Sequence, residues 1–208
     1  GTTQSPPPDL QRMTFSLGGT VKQTTRLAGH NRTSMRAQLS SGTAALRVTP
    51  PIAAANDWTV ARLDKPVCRS GGLKLSTLSR SDIERRASLG QIYQVAMHRD
   101  FEPGSLVYGG PCSIARAFTQ APETTIAADF AKPAAILMHT GDTGPGSSGS
   151  PLLTDSERGP EVVGLNVGTY VLSRPAASTS SATNANTAPS SEAIANTAIH
   201  VSQFKSAI

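Results

Sequence analysis

The feature that most limits what this 208-residue chain can fold into is its high content of chain-breaking residues, with Gly 18 and Pro 15. Glycine favours turns and proline removes a backbone hydrogen-bond donor, so the apolar stretches between them are short. Such stretches are typical of strands joined by turns rather than of long helices. Because 38% of the residues are apolar, the chain can still bury a sizeable core. We therefore expect an all-β fold.

Alternating or apolar stretches predict strands along most of the chain. Before residue 81 they are MTFSL, TVKQTTRLA, AALRV and DWTVARL, and after it QIYQVAMH, SLVYG, AAILMHT, SPLLT, EVVGLNVGTYVL and IHVSQF. One short helix is predicted over 81–90, with Ser81 as its N-cap, Glu84 three residues later and Gly90 at its end. No apolar run approaches the roughly 18 residues that a membrane-spanning helix needs.

Two segments have compositions that disfavour regular structure. Residues 1–12 are polar and contain three consecutive prolines, which predicts a linker or tail. Residues 176–192 consist almost entirely of Ala, Ser, Thr, Asn and Pro, and they predict a low-complexity surface loop. The chain begins with Gly1 rather than Met, which indicates a processed product or a fragment.

The segment most indicative of chemistry is HTGDTGPGSSGSPLL, at 139–153. Its glycines allow the backbone to turn sharply around Ser147 and Ser148 and to point amides into one cavity. An acyl-transfer enzyme needs such amides, because they stabilise the negative charge that develops beside its nucleophile. An ordinary Gly/Ser hairpin loop is the alternative.

The residues GSSGSPLL resemble the nucleophile segment of trypsin-like serine proteases with the chymotrypsin fold, in particular the bacterial branch that includes glutamyl endopeptidases. The resemblance implies that Ser148 is the nucleophile and that the amides of Gly146 and Ser148 form the oxyanion hole. It also implies two six-stranded antiparallel Greek-key barrels. Residues 13–80 would then be the remainder of an incomplete N-terminal barrel, and 81–208 the linker helix and C-terminal barrel.

The stretch NDWTVARLDKP resembles the family's triad-acid segment, and it identifies Asp57 as the catalytic acid. Asp57 precedes Ser148 by 91 residues, close to the roughly 90 of the chymotrypsin order. In the alternative interpretation, Asp57 merely ends a loop.

The resemblance also implies a set of substrate-binding residues. The strand after the nucleophile would pair with the bound peptide through Val167–Thr169. The candidates are Asp142, Thr143, Asn166, Val167 and Gly168. Asn166 stands where glutamyl endopeptidases often have a His. Ser147 replaces the Asp that trypsin pairs with its new N-terminus, so activation by that ion pair is not expected.

The third triad member is missing from its expected place. The family's His precedes the Asp by roughly 45 residues, near Arg12, and no matching stretch is found there. His30 is the only histidine before Asp57, at a distance of 27 residues, and His98, His139 and His200 follow it. The base is therefore expected upstream of Gly1, or it is His30, or it is absent. Without it we expect little peptide cleavage.

The remaining composition narrows the partners. The net charge of +5 would allow binding to nucleic acid or an anionic surface, but aromatic residues make up only 4%, too few for a base-stacking platform. We expect a monomer that acts on peptide or protein substrates, with no cofactor, metal, nucleic acid or membrane. Cys68 and Cys112 either form a disulfide or are two buried free thiols. A disulfide would suit an exported protein, so we expect a secreted or periplasmic one. A peptide-binding pseudo-protease is the second hypothesis, and a basic surface-binding domain the third.

Overall fold

The computed structural model describes residues 14–17, 23–26, 39–42, 46–68, 71–101, 105–114, 123–173 and 191–208. Within these ranges strands predominate, and only one helix is longer than six residues. The chain is therefore all-β in class, as the glycine and proline content predicts. None of the described helices is long and apolar enough to cross a membrane. The predicted tail at 1–12 and most of the predicted loop at 176–192 lie outside the described residues.

The described elements follow the chain in this order. The strands are β1 (Thr14–Leu17), β2 (Gln23–Arg26), β3 (Leu39–Ser41), β4 (Thr59–Ala61), β5 (Lys74–Leu75), β6 (Ile92–Ala96), β7 (Val107–Gly109), β8 (Ile136–His139), β9 (Pro151–Ser156), β10 (Gly159–Ser173) and β11 (Ser191–His200). The helices are α1 (Arg80–Ser88) and α2 (Glu123–Ala128).

The largest sheet has seven strands. Six of them lie in the order β7-β6-β9-β10-β11-β8, with antiparallel neighbours, and β5 pairs in parallel with the start of β10. The segment after β7 reaches the opposite edge strand through a bridge between Ile114 and His139. Two separate hairpins, β1–β2 and β3–β4, precede this sheet in the chain.

The main core lies between α1 and this sheet. Its buried members are Ile83, Ala87, Ile92, Cys112, Ile114, Leu137, Leu152, Val163 and Ala198. Two arginines of α1 fasten the helix to the sheet: Arg80 donates to the carbonyl of Ile136 at 2.7 Å, and Arg86 to that of Asp155 at 2.8 Å. These two bonds hold α1 against β8 and β9.

The predicted cap of the helix is wrong by two residues. Ser79, not Ser81, is the N-cap, and it forms a capping box with Asp82. The pattern Ser-x-x-acid occurs twice here, but Glu84 bonds to Arg80 at 2.8 Å instead of reaching back to Ser81. The predicted end is close, because Leu89 is the C-cap and Gly90 follows with a φ of 70°.

Three further predictions differ from the structure. Leu46–Val48, within the predicted strand AALRV, is irregular, since two prolines follow and Arg47 bonds to the carbonyl of Pro50. The predicted strand IHVSQF stops at His200, because the His200 ring accepts from the Ser202 amide and turns the chain into a 3-10 helix. Helix α2 was predicted as neither helix nor strand; its sequence has weak helix propensity, and its Ile126 is buried in the core.

The two cysteines are not bonded to each other. Cys68 is an exposed free thiol, and Cys112 is a fully buried one. Burial raises the pKa of the Cys112 thiol to about 11. The disulfide alternative is therefore wrong, and so is the expectation that Cys68 is buried.

Candidate active site

Ser148 lies on the segment 140–150, which connects β8 to β9. Its side chain is exposed, and Oγ donates to the backbone carbonyl of Val167 at 3.3 Å. The turn around it depends on Gly146 and Gly149, whose φ angles of 100° and 83° lie in the region that side chains disfavour. Ser148 is thus presented to solvent at the point where β10 passes beneath it.

Hydrogen bonds to β10 hold this turn in place. Gly149 donates to the carbonyl of Asn166 at 2.7 Å, and Asn166 donates to that of Ser150 at 2.8 Å. Within the turn, Ser147 donates to Gly144 at 3.0 Å and Ser150 to Ser147 at 3.1 Å. The nucleophile candidate therefore rests on a rigid backbone framework.

The two backbone amides that are predicted to form the oxyanion hole are available to donate hydrogen bonds to a ligand. The carbonyl of Pro145 accepts from Arg99 at 2.8 Å, and the carbonyl of Ser147 accepts from Ser150. In a trans peptide the N–H points opposite to the C=O, so these two bonds turn the amides of Gly146 and Ser148 the other way. Among the described residues, neither amide has an acceptor.

Asp57 follows the 3-10 turn Ala54–Asn56 and lines a cavity of about 650 Å³. The same cavity is lined by Val167, whose carbonyl accepts from the Ser148 hydroxyl, and by Gly168. The carboxylate is accessible, but the cavity walls remove part of its hydration and raise its pKa. Val167 of β10 therefore lines a cavity with Asp57 and bonds to Ser148, although these two residues lie 91 positions apart in sequence.

The cavity has further walls that the sequence does not reveal. They include Leu46, Val48, Ile52, Phe130, Arg47, Asp129, Thr169 and Tyr170. The Tyr170 hydroxyl donates to Asp129, and partial burial together with that carboxylate raises the tyrosine pKa to about 12. These residues come from separate segments with no shared motif, so only the folded chain shows that they face one space.

None of the three described histidines lines this cavity. His98 packs edge-on against Phe101, and His200 caps the turn after β11. His139 is fully buried beneath the nucleophile turn, where its Nε2 bonds to Asn166 Oδ1 at 3.1 Å. Burial lowers the pKa of His139 to about 4, so the ring is neutral at pH 7. His30 lies outside the described residues.

The five substrate-binding candidates occupy different environments. Val167 and Gly168 line the cavity. Asp142 is exposed beside Gly109, and Thr143 is half-buried. Asn166 is only 1% exposed, and its amide donates to Ser147, so its side chain supports the nucleophile turn from below. Contact of these residues with a substrate stays a prediction.

Within the described ranges, no group of three His, Cys, Asp or Glu side chains is arranged to hold a metal ion. The chain matches no family model and no curated protein. The function proposed below therefore rests on the geometry of the site.

Proposed function

We propose that this chain is part of a serine endopeptidase that cleaves peptide bonds through an acyl-enzyme on Ser148. The observation that carries the proposal is that Val167 connects the surroundings of Ser148 with those of Asp57. The Ser148 hydroxyl bonds to the Val167 carbonyl, and Asp57 lines the cavity that Val167 borders. We assign these two residues, which separate motifs predict, to one Ser-His-Asp triad.

In the proposed reaction, Ser148 Oγ attacks the substrate carbonyl carbon while an imidazole base takes its proton. The oxygen that becomes negative accepts hydrogen bonds from the amides of Gly146 and Ser148, each worth roughly 10²–10³ in rate. The imidazolium then protonates the leaving amine, and the acyl group stays on Ser148. Water, deprotonated by the same base, releases the acid product. Asp57 orients the imidazole and stabilises its charged form.

The bound peptide would pair with β10. Strand β11 pairs with one side of β10 at Gly168 and Thr169, but β9 pairs with the other side only as far as Leu165. On that second side, the edge at 167–169 has no strand partner among the described residues. Its apolar neighbours in the cavity, including Ile52 and Phe130, favour apolar substrate side chains. The two-barrel arrangement, with this cleft between barrels, and secretion of the protein belong to the same proposal.

The base is expected among residues that the structure does not describe, either His30 or a histidine that precedes Gly1. Until it is in place, we expect hydrolysis to be slow, because Ser-His-Asp enzymes that lose the triad keep only about 10³–10⁴ over water. The absence of a described histidine from the cavity favours one rival, a pseudo-protease that binds peptides in this cleft without cleaving them.

Labelling with a fluorophosphonate probe tests the proposal, because the probe reacts only with an activated serine. We expect slow labelling of the chain and at least about tenfold faster labelling when free imidazole is added, since general base catalysis contributes roughly 10²–10⁴. Ser148→Ala should abolish labelling. Ser113→Ala, which removes another exposed serine, should not.

Asp57→Asn should remove most of the gain from imidazole, because the amide cannot stabilise an imidazolium. Labelling that survives in Ser148→Ala would contradict the assignment of the nucleophile. If imidazole has no effect on the chain but an apolar peptide still binds and protects the Val167 amide from hydrogen exchange, the pseudo-protease is the correct alternative.

A further inference from the structure

A buried chain of polar groups connects β8 to the residue that precedes the nucleophile. Gly141 donates its amide to His139 Nδ1 at 3.1 Å, so the ring proton is on Nε2 and donates to Asn166 Oδ1 at 3.1 Å. Asn166 Nδ2 then donates to the carbonyl and to Oγ of Ser147, each at 3.2 Å. Every polar atom of the His139 and Asn166 side chains therefore has a partner.

This chain of bonds has a fixed direction. An isolated asparagine amide could rotate by 180° and exchange its oxygen with its nitrogen. Because His139 Nε2–H can only donate, it holds Oδ1 on its own side and leaves Nδ2 toward Ser147. The other titratable group here is the buried Cys112 thiol, which lies against Gly141 and is neutral. No charged group acts on the His139 ring among the described residues.

The consequence reaches Ser148 through one peptide plane. The Ser147 carbonyl is drawn inward by Asn166 Nδ2, by the Ser150 amide and by the Ser150 hydroxyl, which Gln94 in turn contacts at 2.7 Å. Since this peptide is trans, the Ser148 N–H must point the opposite way, away from Asn166. Rotation of the peptide would remove that amide from the site.

We propose that His139 and Asn166 are positioning residues that set the orientation of the Ser147–Ser148 peptide and so hold the Ser148 amide toward the cleft. The catalytic part of this inference rests on the proposed function, whereas the orientation itself does not. A fully buried imidazole is a costly way to fill space that an aliphatic side chain would fill as well. Its retained polarity is explained by the direction that it imposes on Asn166.

The orientation can be tested by NMR without catalytic activity. In the unmodified chain we expect the Nε2–H tautomer of His139 and a scalar coupling across the hydrogen bond from Asn166 Nδ2 to the Ser147 carbonyl carbon. In His139→Leu that coupling should vanish and the Ser148 amide resonance should shift. His139→Gln, which can still donate to Asn166, should restore both. Leu137→Val, a buried change on the same strand, is the control and should leave both as they are.

The Nδ1–H tautomer in the unmodified chain would overturn the inference, even if no variant folds. So would a coupling and a Ser148 resonance that persist in a folded His139→Leu variant.

Labelling by the fluorophosphonate, in the presence of imidazole, tests the catalytic consequence. We expect His139→Leu to lower the maximal labelling rate constant by about tenfold or more, with little change in probe affinity, because an oxyanion donor acts mainly in the transition state. His139→Gln should recover most of the rate. An unchanged rate in His139→Leu would overturn the catalytic role. If the unmodified chain is not labelled at all, the proposed function fails, and the NMR result alone decides the orientation.

Discussion

The surroundings of Asp57 disfavour a negative charge on its carboxylate. Its pKa is raised because the cavity walls strip part of its hydration, and among the described residues no side chain donates to its carboxylate. A neighbouring cation would reverse that shift. In the proposed triad, an imidazolium held between Asp57 and Ser148 would supply that cation.

His139 should make the stability of the protein depend on pH. Its folded pKa is about 4, whereas the unfolded value is 6.5, so between these values the unfolded chain binds a proton that the folded chain does not. Lowering the pH through this window should therefore lower the free energy of unfolding, by about 3 kcal/mol from this residue at pH 4. Urea unfolding of the chain and of His139→Gln at pH 7 and pH 4.5 measures the difference.

The variant should lose part of that pH dependence. The pKa of His200 is also lowered by burial, but it contributes equally to both proteins and cancels in the comparison. Equal slopes of stability against pH in the two proteins would contradict the buried, neutral state of His139.

At the scale of the element, local signals predicted what local contacts determine. Strands β6 and β8 to β10 overlap the apolar stretches that predict them, and glycine or proline residues separate these stretches. Ser79 and Ser81 each begin a Ser-x-x-acid pattern, so the pattern alone does not identify the helix cap. Glu84 bonds to Arg80 rather than to Ser81, and Ser79 is the cap. Helix α2 escaped prediction since the burial of Ile126, a tertiary contact, outweighs its propensity.

The helix cap provides a direct test with an internal control. Ser79 Oγ accepts from the Asp82 amide at 3.2 Å, and removing it leaves a helix N–H without a partner. Ser79→Ala should therefore lower the free energy of unfolding by about 1 kcal/mol, while Ser81→Ala should change it by less than about 0.5 kcal/mol. Chemical unfolding measures both. A larger loss in Ser81→Ala would contradict the observed cap.

Two glycines of β10 should respond to the same substitution to very different extents. A Cβ on Gly164 would lie 2.8 Å from the Ile199 carbonyl oxygen, whereas one on Gly168 would meet nothing within 4 Å. Gly164→Ala should lower the free energy of unfolding by about 1–3 kcal/mol, and Gly168→Ala by less than about 0.5 kcal/mol. Thermal unfolding of both variants checks the close pairing of β10 with β11. Equal midpoints would contradict it.

For the whole molecule, the sequence predicted which residues could react but not how they are supported. The spacing of Asp57 and Ser148 agrees with a triad order, but the sequence does not show that Val167 lines a cavity with Asp57 and bonds to Ser148. The support of Ser147 by His139 and Asn166 could not be predicted, because their side chains meet across strands that are far apart in sequence. The sequence predicts that Asn166 contacts substrate. Asn166 lies in a strand whose polar and apolar residues alternate, and this pattern does not reveal that its side chain is buried.

The two thiols report on opening of the whole molecule. Cys112 is fully exposed only when the core around Ile83 and Leu137 comes apart, whereas Cys68 is exposed in the folded state. Burial also keeps Cys112 protonated, with a pKa of about 11, so the folded thiol is a poor nucleophile.

At pH 8 we expect iodoacetamide to alkylate Cys68 at once and Cys112 only at the rate of global unfolding. Added urea should therefore accelerate the reaction of Cys112 and leave that of Cys68 unchanged, as mass spectrometry of the two peptides would show. A reducing agent should not shift the unfolding midpoint, since the two thiols are not bonded. Fast alkylation of Cys112 without denaturant would contradict the closed core on which the placement of β8 and the nucleophile turn depends.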